Sequence, residues 1–402
     1  QQFTGGPYIS PGIGATIKFA TVDLFENYKI YGGVRLSSST REYFMTYQNL
    51  VSRTDKEYTF SRTTSNQNLV GATEDSLVGL ATNTLSYSLK YPFSEVASVR
   101  ATFSGRNDNT VVKSISDLRL NDENVTEYRA ITKIAFVFDN TRHKMTNIYY
   151  GTKFKLFAEY YQEFGDGSFI SSNKSLTKDG DLKGRGNGEN GNMQVVGLDF
   201  RHSLEINREL VWVNRFAASS SFGHEKLIYY LGSTDDWIPI DQDQFINEDD
   251  VNTKQVNYRY HALAANLRGF PQNIRRGTNF AVINSEIRFP VFKYFIKRPI
   301  RSKFVKNFQI IAFTDVGAAW SGLDPWGKQN TIDEDEYPIG PTNNPTGVVT
   351  VSKKIDPIVA GYGFGLRTTL LGYFLRFDWA WGVEDGYTKE KPIFYLSLSL
   401  DI

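Results

Sequence analysis

The chain has 402 residues, enough for one large all-β unit or two ordinary domains. Cysteine is absent, which excludes disulfides and thiolate metal sites, and a net charge of +1 leaves no basic excess for nucleic acid. Aromatic residues make up 14% of the chain, yet no apolar run reaches the roughly 18 residues of a membrane helix; alternating strands stay open as membrane spans.

Period-two alternation predicts about sixteen strands, at 1–9, 13–24, 28–38, 41–51, 56–65, 79–92, 97–107, 125–139, 148–164, 193–207, 210–222, 279–292, 308–320, 358–371, 373–385 and 391–402. In "TKIAFVFD", Ile134, Phe136 and Phe138 oppose Lys133, Ala135, Val137 and Asp139. In "GTKFKLFAEYY", Thr152, Phe154, Leu156, Ala158 and Tyr160 oppose Lys153, Lys155, Phe157, Glu159 and Tyr161. The contrast sharpens toward the C-terminus. In "YFLRFDWAWGVE", Tyr373, Leu375, Phe377, Trp379, Trp381 and Val383 share one face. In "IFYLSLSLDI", Phe394, Leu396, Leu398, Leu400 and Ile402 oppose Tyr395, Ser397, Ser399 and Asp401. Alternation over roughly ten residues is the length at which a tilted strand crosses a bilayer. No helical period, repeat or domain-splitting linker interrupts the pattern.

The connections sort by parity. The long ones, 66–78, 108–124, 165–192, 223–278 and 321–357, all follow odd-numbered strands, as the outside loops of a bacterial outer-membrane barrel do. Short turns follow the even strands, apart from the longer turn 293–307. That turn carries Lys293, Lys297, Arg298, Arg301, Lys303 and Lys306 without an acid, which suits either anionic lipid heads or plain solvent. Residues 1–402 therefore read as one antiparallel transmembrane β-barrel. The start at Gln1, without Met or signal sequence, leads us to expect a mature chain or fragment from which an N-terminal soluble domain is missing.

Catalytic signatures are lacking. His143, His202, His224 and His261 have no partner at metal-ligand spacing, and neither a nucleophile elbow nor a phosphate loop occurs. The acidic run Asp241, Asp243, Glu248, Asp249 and Asp250 lacks the calcium-loop pattern and reads as a solvated loop. We expect no cofactor, no metal and no enzymatic activity.

One element of the longest connection stands out: "LRGF", Leu267, Arg268, Gly269 and Phe270. A charge facing a barrel lumen needs a partner or water. On the strand near 308–320, Phe313, Asp315 and Gly317 point inward if Ile310, Ala312, Thr314 and Val316 face lipid. The strand before it turns Asn284, Glu286 and Arg288 inward, and the strand after it turns in Gly361, Gly363 and Gly365, a bare patch another backbone can approach. Arg268, folded back into the lumen, would find a place on this carved-out, acidic wall with Glu286 and the glycines, where a carboxylate suits its planar fork. Loss of either charged partner is expected to be similarly harmful.

These motifs resemble those of the outer-membrane barrel-assembly and two-partner-secretion superfamily, the BamA, TamA and FhaC type. There the sixth outer loop, between strands eleven and twelve, carries a [V/I]RG[F/Y] tip that meets F-x-D-x-G on strand thirteen. "LRGF" and "FTDVG" occupy those places here, with Leu267 where Val or Ile is usual and Ile402 where the last residue is usually aromatic. The resemblance implies a sixteen-stranded barrel in the bacterial outer membrane, with the sixth loop folded into its lumen. It implies a role in outer-membrane protein insertion or in translocation. Partners would be outer-membrane lipids, client proteins and periplasmic accessory subunits. Other readings are a passive anchor or exporter for a preceding soluble domain, a barrel enzyme, or a simple porin, the last disfavoured by a plugging loop. The short "QQFTGGPYI" strand predicts a weak seam with the final strand, an edge a client strand could use.

Overall fold

The structure, a computed structural model, describes residues 4–5, 14–37, 40–69, 76–113, 125–164, 174–176, 182–184, 191–207, 209–235, 237–238, 260–296, 298–339 and 347–398. The wall is one antiparallel sheet rolled into a barrel, each strand paired with the next in sequence. Its strands are Gly14–Val22, Tyr28–Ser37, Thr40–Asn49, Asp55–Leu69, Ser76–Pro92, Ala97–Lys113, Val125–Asp139, Ile148–Phe164, Asn192–Glu205, Val211–Gly223, Asn279–Phe289, Gln309–Trp320, Ile358–Leu370, Tyr373–Glu384 and Ile393–Ser397. The strand ends that flank 165–191, 224–278 and 321–357 lie at one end, and those that flank the turns 23–27, 93–96, 206–210 and 371–372 at the other. The length sorting read from the sequence thus separates two ends of a real barrel.

Alternation fixes the faces. Along Gln309–Trp320, Ile310, Ala312, Thr314 and Val316 are exposed, while Gln309, Ile311, Phe313, Asp315 and Gly317 are buried. The outer surface is apolar: Leu85, Ile134, Leu156, Ile283, Tyr362 and Phe364 all lie exposed on it. Tyr28, Tyr47, Tyr58 and Tyr87 form a row of stacked and tilted rings along neighbouring strands near the short turns, centroids 4.9–6.3 Å apart. Such a ring row is what a membrane interface favours, since each tyrosine has an apolar body and a polar tip.

Register then sets rows of inward side chains. Asn284 pairs with Asp315, Asp315 with Gly361, and Gly361 with Gly382. The next inward row is Glu286, Phe313, Gly363, Ala380 and Ile393, and the one after it Arg288, Ile311, Gly365, Asp378 and Tyr395. Cross-strand partners on one face lie about 5 Å apart, so residues scattered from 284 to 395 become neighbours.

Several expectations change. Where it is described, the connection 223–278 contains regular strands. It supplies Leu227–Leu231, which pairs parallel with Tyr260–Leu263 and antiparallel with Arg275–Gly277. Inside the barrel this small sheet builds an apolar core, in which Leu227, Tyr229, Leu231, Ala262, Leu267 and Phe270 pack on wall residues such as Met193, Val195, Phe280 and Val282. Burying this face stabilises the folded loop, at roughly 25 cal/mol per Å² of apolar surface. The predicted first strand, 1–9, does not run along the wall where it is described. Thr4–Gly5 pairs instead with Tyr260–Leu263 of the inner sheet. Two of its residues forming a ladder cannot span a membrane, so Gly14–Val22 is the first described wall strand.

That strand pairs with Tyr28–Ser37, and Ile393–Ser397 pairs with Tyr373–Glu384; among the described residues no ladder joins the first wall strand to the last. All of Gly14–Val22 is exposed. Leu400, Ile402, Ser399 and Asp401 lie outside the described residues. Turn 290–308 contains two short helices, Val291–Phe295 and Lys303–Lys306, too short to leave a helical period in the sequence. Pro290 ends the preceding strand, since it has no N–H for the ladder. Lys293 of this turn meets Glu209 at 3.4 Å, and Lys297 lies outside the described residues.

The face assignment predicts different tolerances near mid-strand. Leu85→Arg should cost about 2–4 kcal/mol if it sits at the bilayer midplane, and Ser86→Arg, facing the lumen, about 1 kcal/mol or less. Urea unfolding in lipid vesicles checks this, and equal losses at the two positions would reverse the faces.

Candidate functional site: the loop tip in the lumen

The tip is built by two limbs of the long connection. Leu267 N–H donates to the Ser233 carbonyl at 3.0 Å, and Ser233 N–H to the Phe270 carbonyl at 3.1 Å. The turn between Leu267 and Phe270 needs Gly269, whose φ is +100°, a conformation costly to any residue with a Cβ. Leu267 and Phe270 are fully buried and anchor the tip on the inner core.

Arg268 then has one direction open to it. Its Nε and Nη2 donate to Asp315 Oδ2 and Oδ1 at 2.7 and 2.8 Å, a bidentate pair. Its backbone N–H also reaches Asp315 Oδ2, at 3.1 Å. Nη1 lies 2.8 Å from Glu286 Oε1, and Arg288 Nη2 lies 2.8 Å from the other Glu286 oxygen. The Phe313 ring lies under the guanidinium, 3.5 Å from Cζ to centroid. Two arginines and two carboxylates thus share a site in which Arg268 is 3% exposed and Asp315 fully buried. Burial alone would push the Arg268 pKa down; Asp315, then Glu286, outweigh it and hold the pKa well above its ordinary value. The guanidinium stays charged, and the planar fork suits this geometry where a lysine would not.

The glycines divide the work. A Cβ on Gly361 would lie 1.8 Å from the Arg268 carbonyl oxygen, so this glycine makes room for the tip itself. Gly363 makes room for the Phe313 ring and Gly365 for Asp378 and Arg367, rather than for the loop. Gly317 accommodates Leu267, whose Cδ1 would be 2.8 Å from a Cβ there. The expected set of Leu267, Arg268, Gly269, Phe270, Glu286, Phe313, Asp315, Gly317 and Gly361 therefore meets at one place.

Further residues join it. Asn284 Nδ2 donates to Asp315 Oδ1 at 2.8 Å and to the Asn266 carbonyl at 2.7 Å. Gly382 faces the Gly269 carbonyl and the Phe270 ring, with no space for a Cβ. Tyr395 Oη accepts from Gly269 N–H at 2.9 Å and donates to the Phe270 carbonyl at 2.7 Å, tying the tip to the last described strand. Arg367 and Asp378 form a second fully buried pair two to three rows from Asp315, at 2.8 Å. Asn284 was already placed inward by alternation. Tyr395 and Gly382 were too, but no local signal said that the loop reaches that far around the wall.

At the short-turn end the lumen is also filled. The Thr146 carbonyl accepts from Gln309 Nε2 at 2.9 Å, and the Asn147 carbonyl from Arg288 Nη1 at 2.9 Å. The hairpin of which they are part buries Met145 and Ile148 against Val211 and Val213. Among the described residues no group of three or more His, Cys, Asp and Glu could hold a metal ion. His202 Nδ1 sits 2.7 Å from Thr152 Oγ1. The acidic run 241–250 and the His261 side chain lie outside the described residues.

Fold and site together define a transmembrane-type β-barrel whose longest loop is latched inside its own lumen. This is the fold of the BamA and CdiB barrels. BamA from Haemophilus ducreyi lacking POTRA domains 1–3 superposes with a TM-score of 0.58 at 10% identity, over 99% of this chain and 69% of that one. CdiB from Escherichia coli gives 0.53 at 11% identity, over 98% and 61%, and CdiB from Acinetobacter baumannii 0.50 at 13%, over 96% and 56%. The chain spans less than two thirds of either CdiB chain. No family model and no curated protein sequence matches it.

The geometry revises the expected symmetry of the two charge deletions. Arg268→Ala strands Asp315 in a dry site and should cost about 3–5 kcal/mol. Asp315→Ala leaves Arg268 its contact with Glu286, so its cost should be smaller by about 1 kcal/mol or more, and the double variant should be little worse than Arg268→Ala. Urea titrations of the four proteins close this cycle. Separately, Gly361→Ala should expel the tip and open the Arg268–Gly269 bond to trypsin. Gly105→Ala, with nothing within 4 Å of the added methyl, should stay resistant like the parent protein.

Proposed function

We propose that this chain is the barrel of an integral protein of the bacterial outer membrane, belonging to the barrel-assembly and two-partner-secretion superfamily. In this reading it inserts other outer-membrane proteins or passes polypeptides across the membrane. It acts without catalytic chemistry, and the long loops face outward. The observation that carries the reading is the Arg268 tip seated on Asp315 in a row with two glycines. That arrangement fills the lumen, which a porin keeps open, and it is tied through Tyr395 to the strand at the seam. The first wall strand, exposed along its length and with no ladder to the last strand among the described residues, supports it: such an edge offers backbone groups that an incoming strand can use. The partners are then membrane lipids, client polypeptides and periplasmic accessory subunits.

The test uses the full-length protein in proteoliposomes. An unfolded outer-membrane barrel client, followed by heat-modifiable gel mobility, should fold about tenfold faster than in empty vesicles, equivalent to about 1.4 kcal/mol of barrier. A secreted client should become protected from, or exposed to, external protease only when the barrel is present. Rates equal to empty vesicles for both clients would leave the chain a passive anchor. Steady large conductance from the intact protein would make it a porin.

A further inference from the structure

The long loop touches the wall a second time, well before its tip. Trp237 forms an antiparallel bridge with Ser397, and Ile238 N–H donates to the Leu396 carbonyl at 2.8 Å. Leu396 and Ser397 belong to Ile393–Ser397, the last described wall strand. One edge of that strand is already filled by Tyr373–Glu384, from Arg376 opposite Ser397 to Ala380 opposite Ile393. A strand has only two edges, so the loop sits on the edge that an adjoining strand would use.

Side chains hold it there. The Trp237 ring packs edge-on against Tyr395, centroids 4.9 Å apart, inside a buried cluster with Ile311, Phe313 and Ala380. Arg376 donates to Thr234 Oγ1 and to the Asp235 carbonyl. Tyr395 also binds the Arg268 tip, and Phe313 lies under the Arg268 guanidinium, so the seam contact and the tip share two residues.

We propose that the limb around Trp237–Ile238 is a surrogate strand. It occupies the acceptor edge of Ile393–Ser397 and keeps the seam from pairing with another chain. The partner this edge fits is an extended polypeptide segment running antiparallel to Ile393–Ser397, with an aromatic side chain where Trp237 now packs against Tyr395. Backbone hydrogen bonds accept any extended chain, and the aromatic pocket selects among them. Among the described residues the surrogate's backbone contact is one bridge and one further hydrogen bond, which a longer strand outcompetes. The partner's identity as a client rests on the function proposed above; the surrogate contact itself does not.

The chain has no cysteine, so introduced pairs report without background. In membranes holding the full-length protein, Trp237→Cys with Ser397→Cys should link under mild oxidation, giving a reductant-sensitive gel shift. Thr16→Cys, Lys18→Cys or Ala20→Cys, each with Ser397→Cys, should link less. A fluorescent peptide of alternating Val and Thr with one central Trp should bind the reduced 237/397 protein about tenfold more tightly than the oxidised one, about 1.4 kcal/mol. Thr234→Val, which removes the Arg376 acceptor without touching the pocket, should also strengthen peptide binding over the parent protein. Preferential linking to Gly14–Val22 would overturn the proposal, as would equal peptide affinity in the oxidised and reduced states. Linking at 237/397 in a protein without insertion activity keeps the surrogate strand and rejects only the function; activity without that link does the reverse.

Discussion

The Arg268–Asp315 pair is the constraint on which the interior depends. Moving a guanidinium out of water costs several kcal/mol, and it is recovered only where a carboxylate meets it with good geometry and its remaining donors are satisfied. Here Asp315 takes two of the side-chain donors, and Glu286 lies 2.8 Å from Nη1 as an ion pair. Asn284 and the Arg268 backbone N–H fill further Asp315 sites. With these partners the pair fixes the depth of the tip against the wall. The Leu227–Leu231 strand, the Trp237 limb and the Tyr395 contacts all follow from where that tip is fixed.

The wall is shaped to receive it. Gly361 and Gly382 stand side by side in the row of Asp315, and their missing side chains let the Arg268 and Gly269 carbonyls come against the sheet. Polar and apolar contacts share the work. Leu267 and Phe270 join an apolar core inside the barrel, which excludes water from the charges and raises the penalty for breaking them. A barrel of this kind is stabilised from within by its loop as well as from without by lipid.

The same loop connects distant parts of the wall. It contacts Gln309–Trp320 through Arg268, Tyr373–Glu384 through Arg376, and Ile393–Ser397 through Tyr395 and Ile238. The tip and the edge of the last described strand thus share Tyr395 and the ring of Phe313 as common neighbours.

Sequence alone determined the strand faces, because a period of two admits only two sides, and it determined the sorting of long and short connections. It also identified Arg268, Asp315 and their glycine-lined surroundings, since an inward charge beside inward glycines demands an occupant. What it could not determine was which glycine faces the loop: Gly361 does, while Gly363 and Gly365 make room for Phe313, Asp378 and Arg367. That depends on register across four strands and on the depth of the tip, quantities with no local signature. The inner sheet of Leu227–Leu231, the diversion of Thr4–Gly5 to that sheet and the seating of Trp237 on the terminal strand were likewise decided only by tertiary structure. Each is a pairing between segments far apart in the chain, and short strands carry too little alternation to name their partners before the fold brings them together.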